Sequence, residues 1–135
     1  MGGERELEIS IDLEAEGLNV VLKDYQIETL KLLWETQAKV AKQPMMKWVG
    51  LSSREVWAKV NERMRILGMG AISRASIINF LNTAAGIGVL NYTEITGKGG
   101  HRRIYTAALT EQEYWVWLMK TVDSKLKEAA GLQHW

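Results

Sequence analysis

The stretch Ile72–Tyr105, ISRASIINFLNTAAGIGVLNYTEITGKGGHRRIY, decides how the chain is read. Ser73 is a helix cap, because a serine side chain accepts a hydrogen bond from the first free backbone N–H groups. Ile77, Phe80, Leu81 and Ala84 then recur at helical spacing, with Ala75, Ser76, Asn79, Asn82 and Thr83 on the other side. Gly86 and Gly88 stop the helix. Val89–Ile95 alternates with period two, Thr96–Gly100 is glycine-rich, and Arg102–Leu109 returns. That pattern predicts a β-hairpin with a flexible tip.

Working outward, Ser52-Ser53-Arg54-Glu55 fits a capping box, opening a helix with Val56, Val60, Met64 and Leu67 on one stripe. Gly68 and Gly70 end it. An earlier helix starts at Asp24 and carries Ile27, Leu30, Trp34 and Val40 up to about Lys42, before Pro44. Thr110-Glu111-Gln112-Glu113 is a second capping box and opens a long last helix to about Ala130. Before all of these, Leu7, Ile9, Ile11 and Leu13 alternate with acidic residues, and Leu18–Leu22 follows a Glu16-Gly17 turn. This predicts an N-terminal β-hairpin, or else an acidic arm.

The order of elements is helix, helix, helix, strand, turn, strand, helix. Two helices joined by a short glycine-containing turn, then a glycine-rich hairpin, make a winged helix-turn-helix. The expected fold is α+β, mainly α: an N-terminal hairpin or arm over 1–22, a winged helix-turn-helix over 23–109, and a C-terminal helix over 110–135.

Composition narrows the chemistry. The chain has 135 residues, 47% of them hydrophobic, with no Cys and two His. Disulfides, thiol nucleophiles and cysteine-based zinc sites are excluded. The acidic residues are scattered and His101 and His134 stand apart, so no catalytic constellation is suggested, and no metal or other cofactor is expected. No run reaches the roughly 18 apolar residues of a membrane span. The polar N-terminus does not read as a signal peptide, so a cytoplasmic protein without a membrane partner is expected.

The net charge of +1 conceals a split. Residues 51–105 hold eight Lys/Arg against three Asp/Glu, whereas residues 1–50 hold six against nine. A basic middle segment in a near-neutral chain is a candidate polyanion surface, the alternative being a solvated face of mixed charge. One α-helix fits the major groove of DNA. The helix over about 73–85 would enter it with Ser73, Arg74, Ser76, Asn79 and Thr83, with Ser52 beside them at the start of the preceding helix. The wing over about 96–103 would bring Lys98, His101, Arg102 and Arg103 to the backbone or the minor groove. Strand alternation threatens to turn Arg103 away. On the last helix Leu118, Val122 and Leu126, flanked by Trp115 and Met119, offer a dimer interface. Trp117 points away from that row, and one subunit would struggle to cover both.

Leu51–Trp57, Ile72–Ile77, Gly88-Val89-Leu90 and Gly99–Tyr105 together resemble the winged-helix repressors of the penicillinase-repressor (BlaI/MecI/CopY) group, over about residues 24–115. The resemblance implies a homodimeric transcriptional regulator, a repressor, on palindromic double-stranded DNA. It places Ser73, Arg74, Ser76, Asn79 and the wing cations at the DNA. The alternative is a winged-helix protein–protein interaction module of a larger assembly, which would use the many aromatics, among them Trp115, Trp117 and Trp135.

Overall fold

A computed structural model of the chain describes residues 9–43, 45, 49–97 and 100–131. Four helices and a three-stranded antiparallel sheet form a mainly helical α+β unit in winged-helix order. The elements are α1 (Asp24–Ala41), β1 (Leu51–Ser52), α2 (Ser53–Ile66), α3 (Arg74–Gly86), β2 (Leu90–Gly97), β3 (Gly100–Ala107) and α4 (Glu111–Ala129). The sheet order is β1-β3-β2.

Both capping boxes form. Ser52 Oγ accepts from Glu55 N–H at 3.2 Å, and the Glu55 carboxylate accepts from Ser52 N–H at 2.9 Å. Thr110 and Glu113 repeat the exchange at 3.1 and 2.9 Å. At the end of α3, Gly88 adopts φ 87°, and the N–H groups of Gly88 and Val89 close on the carbonyls of Ala85 and Ala84. Only glycine takes that conformation without a Cβ penalty, so Gly88 turns the chain straight from helix into β2. The start of α1 differs from expectation. Lys23 occupies the cap position, its N–H donating to Gln26 Oε1, while Asp24 is the first helical residue and accepts from Asn19.

The core joins α1, α2, α3, the base of the hairpin and α4. Leu30, Leu33, Val56, Val60, Ile77, Leu81, Val89 and Leu90 are almost fully enclosed. Long-range polar contacts fix its parts. Trp34 Nε1 donates to the Leu109 carbonyl at 2.9 Å. The Gln37 amide accepts from Ala107 N–H at 3.1 Å and so continues the sheet edge with a side chain. Arg63 of α2 reaches Glu35 at 2.9 Å and Glu28 at 3.5 Å on α1.

The turn between α2 and α3 is held by Asn61. Its Oδ1 accepts from Ile72 N–H at 2.8 Å, and its Nδ2 donates to the Ile72 carbonyl at 3.1 Å. Trp57 Nε1 donates to the same carbonyl at 2.9 Å. Asn61→Ala strands the Ile72 N–H and is expected to cost about 1–3 kcal/mol. Amide exchange at Ile72 and Ser73 should accelerate before that of the α1 core. Unchanged protection there would show that the turn does not depend on Asn61.

The N-terminal hairpin does not form within the described residues. Residues 9–16 carry no strand, and Gly17–Val20 is a short 3-10 helix. One backbone bond, Asp12 N–H to the Val20 carbonyl at 2.8 Å, links the two limbs. Ile9 packs against the core, and Ile11 lies beside Val122 and Leu126 of α4. Ile9 and Ile11 therefore meet a helix rather than a second strand, while Leu13 is exposed. Residues 1–8, with the start of the expected hairpin, lie outside the described residues, as do Trp48, His134 and Trp135. Among the described residues no helix is long and apolar enough to cross a membrane.

Candidate nucleic-acid interface

The expected recognition helix forms as α3, with Ser73 at its cap. Ser73 Oγ accepts from Ser76 N–H at 3.1 Å and donates to Ser76 Oγ at 2.9 Å. Arg74, Ala75 and Asn79 are exposed, while Ile77, Leu81 and Ala84 lock the opposite side into the core. Arg74 and Asn79 make no hydrogen bond or ion pair with any described residue, and the free N–H groups of the α3 start lie beside Arg74. An exposed helix N-terminus next to an unpaired guanidinium favours an anion.

Three of the expected contacts are corrected. Ser52 is buried and spends its hydroxyl on the α2 cap, so it does not face a partner. Thr83 is half-buried and lines an apolar cavity rather than the exposed side of α3. Arg103 is engaged by its own hairpin and by α3, its side chain 39% exposed. It lies 4.1 Å over the Tyr92 ring, 3.6 Å from the Glu94 carboxylate, and donates to Asn82 Oδ1 at 3.1 Å.

Asn82 is the residue that sequence reasoning missed. Its side-chain oxygen also accepts from the Tyr105 hydroxyl at 2.6 Å. One oxygen thus ties β3 to α3. No spacing announces this, because the partners lie 21 and 23 residues away.

The wing is longer and more regular than expected. Pairing runs from Leu90↔Ala107 out to Gly97↔Gly100, so Thr96 and His101 are paired strand residues rather than tip residues. Strand alternation puts His101 on the same hairpin face as Arg103 and Tyr105, toward α3, and Arg102 on the other face with Ile95 and Ile104. The cation turned away from the Asn82 side is therefore Arg102, not Arg103. Both His101 and Arg102 are exposed. Lys98 lies outside the described residues.

The basic charge of the middle segment is partly neutralised. Arg63 pairs with Glu28 and Glu35, Arg65 with Glu62, and Arg103 with Glu94. The hydrogen-bonded Arg65 guanidinium holds the Glu62 carboxyl below its usual range. Among the described residues, Arg54, Lys59, Arg74 and Arg102 have no acidic partner.

The dimer row also changes. Leu118 is only 5% exposed and belongs to the core, beside Tyr114. Trp117 is half-buried by its own subunit rather than left for a partner. It stacks on Tyr114 at 5.6 Å and packs against the core. The large apolar residues left on the outside of α4 are Val116, 45% exposed, Met119, 61% exposed, and Leu126, 64% exposed; half-buried Trp115 and Val122 share a groove with the last two.

Burial pushes the Tyr114 phenol up to about 12 from an ordinary 10.0. Tyr105 is raised as well, chiefly by burial and partly opposed by Arg103. A raised acid favours its neutral form in the folded state. Its stabilisation is complete below the unfolded value and is lost as pH climbs past it toward the folded value. Stability is therefore expected to fall between pH 10.0 and about 12, and Tyr114→Phe should flatten that fall. Urea midpoints measured across the window decide it; identical slopes in the two proteins would remove Tyr114 as a cause.

No protein-family model matches the chain, and no curated protein sequence matches it. Neither comparison supports the likeness to the penicillinase-repressor group. Among solved structures, the ferric uptake regulator of Vibrio cholerae, whose DNA-binding domains are described as structurally rearranged, is similar at 18% identity and a TM-score of 0.37. The match covers 66% of this chain and 54% of that one, so the chain spans about half the length of this neighbour. A likeness at this level says nothing of what the chain does.

Proposed function

We propose that the chain is a sequence-specific double-stranded DNA-binding transcriptional regulator that acts as a homodimer on a palindromic site and represses. The observation that carries it is the exposed polar side of α3, Arg74 and Asn79, beside a hairpin carrying His101 and Arg102; among the described residues Arg74 and Asn79 have no hydrogen-bond or ion-pair partner and His101 and Arg102 no acidic one. In this reading residues 23–109 are the DNA-binding domain. α3 lies in the major groove, where Asn79 pairs with adenine through two hydrogen bonds. Arg102, His101 and Lys98 sit on the backbone or in the minor groove and replace counterions.

Residues 110–135 supply the dimer. Trp115, Met119, Val122 and Leu126 follow one another at spacings of four, three and four. That is the spacing of a two-helix seam, and a two-fold axis uses one patch on both subunits. Met119→Asp with Leu126→Asp should give a folded monomer by sedimentation, because both side chains are exposed. Leu118→Asp is expected to unfold the chain instead. A persistent dimer in the double variant removes this seam.

A gel shift on random duplex DNA tests the main reading. Binding should weaken linearly in log–log form with salt, with a slope of about −3 for three phosphate contacts. Selection from a randomised duplex pool should then return a site with two-fold symmetry. The second reading, a protein-interaction module, draws on one observation: the end of α2 and the turn after it expose Ile66, Leu67 and Met69, with Ile66 70% accessible. No retention of DNA at low salt would favour it.

A further inference from the structure

A cavity of about 530 Å³ opens between α1, α3 and α4, closed on one side by the segment before α1. Phe80 and Ile87 of α3 form one wall, Tyr114 and Trp117 of α4 another, and Ile9 and Val21 of the leading segment a third. This volume falls in the range of small-molecule sites, about 300–1,000 Å³. Among the described residues its lining is apolar apart from Gln26, Thr83 and Tyr114, and no charged side chain contributes.

Tyr114 is 4% exposed, and its hydroxyl has no hydrogen-bond partner among the described residues. A buried hydroxyl left without a partner is uncommon. We propose that this cavity binds an uncharged, mainly aromatic small molecule bearing one oxygen that accepts from the Tyr114 hydroxyl, and that its occupancy changes DNA affinity. The aromatic rings of Phe80 and Trp117 suit a flat apolar guest, and among the described residues no lining cation offers an anion a partner. The guest would lie against the inner side of α3 while Arg74 and Asn79 face outward from the same helix. It therefore biases the position of α3 wherever it fits one placement better than another. This regulatory half rests on the DNA-binding reading above; the binding half does not.

The experiment uses the full chain and N-phenylnaphthylamine, a neutral fluorophore that brightens in apolar surroundings. Saturable binding of one dye per chain is expected, with its sulfonated analogue weaker by about tenfold or more. Ile87→Trp, which fills the cavity from its half-buried rim, should weaken the dye by about tenfold or more at an unchanged thermal midpoint. Should that variant not fold, Val21→Trp on the opposite wall replaces it. Dye binding indifferent to both variants overturns the site. So does binding that occurs only after residues 1–8 are removed, since the chain's own leading residues would then be the occupant. If dye binds as expected and DNA is bound but not altered in affinity by saturating dye, the regulatory half is overturned. If the dye binds as expected and no DNA is bound at any salt, the cavity stands and the DNA-binding reading falls.

Discussion

Gly50→Ala is expected to be the most damaging single-methyl change in the molecule. Gly50 precedes β1 with φ 107°, and a Cβ built there would lie 2.5 Å from Ile104 Cγ2 and 2.6 Å from the Tyr105 carbonyl oxygen. The carbonyl belongs to β3 and cannot swing aside, because Leu51↔Tyr105 and Ser52↔Ile104 form the whole of the β1 pairing. Backbone strain of about 1–2 kcal/mol adds to about 1–3 kcal/mol for overpacking. The sum of about 3 kcal/mol should lower the thermal midpoint by about 10 °C. Calorimetry on the purified variant checks this, and a midpoint within a degree or two of the parent would mean that the approach of Gly50 to β3 is not required.

Arg74→Ala combined with Asn79→Ala should have the largest effect on binding. Each side chain would contribute about 1–3 kcal/mol at base edges or phosphate, so operator affinity should fall by about a hundredfold or more. Random duplex DNA should lose less, since only Arg74 carries charge. Stability should hold, because both residues are exposed and unpartnered. Equal losses on operator and random DNA would place sequence readout elsewhere than on α3.

Capping chemistry made most of the fold legible. Ser52 with Glu55 and Thr110 with Glu113 marked helix starts that formed where they were expected, because a cap is a contact over three residues and can be seen in a line of text. Gly88 marked the end of α3 for the same reason.

The failures share an opposite cause. Alternation at Ile9 and Ile11 says that every second residue is covered, but it does not name the cover, and α4 took the place of a strand. α4 presents two adjacent stripes, Tyr114 with Leu118 and Trp115-Met119-Val122-Leu126. Tyr114 turns inward against Trp34 of α1, a contact that the spacing on α4 does not announce. Asn61, Asn82 and Gln37 act on groups 11, 23 and 70 residues away. A polar residue whose partner is that remote looks the same on the page as one facing water. In the candidate site, Arg74 and Asn79 were legible because they lie opposite an apolar stripe. Ser52 and Thr83 were misplaced because short hydroxyl side chains serve caps and cavity rims as readily as surfaces.

The single oxygen of Asn82 has a mechanical meaning. Tyr105 and Arg103 both donate to it, and Arg103 also bridges to Tyr92 and Glu94 on the neighbouring strand. Helix and hairpin are thus geared together: a tilt of α3 carries the hairpin with it, so the two cannot feel along a duplex independently. The protein would engage or release its target with both parts at once, in one step rather than two.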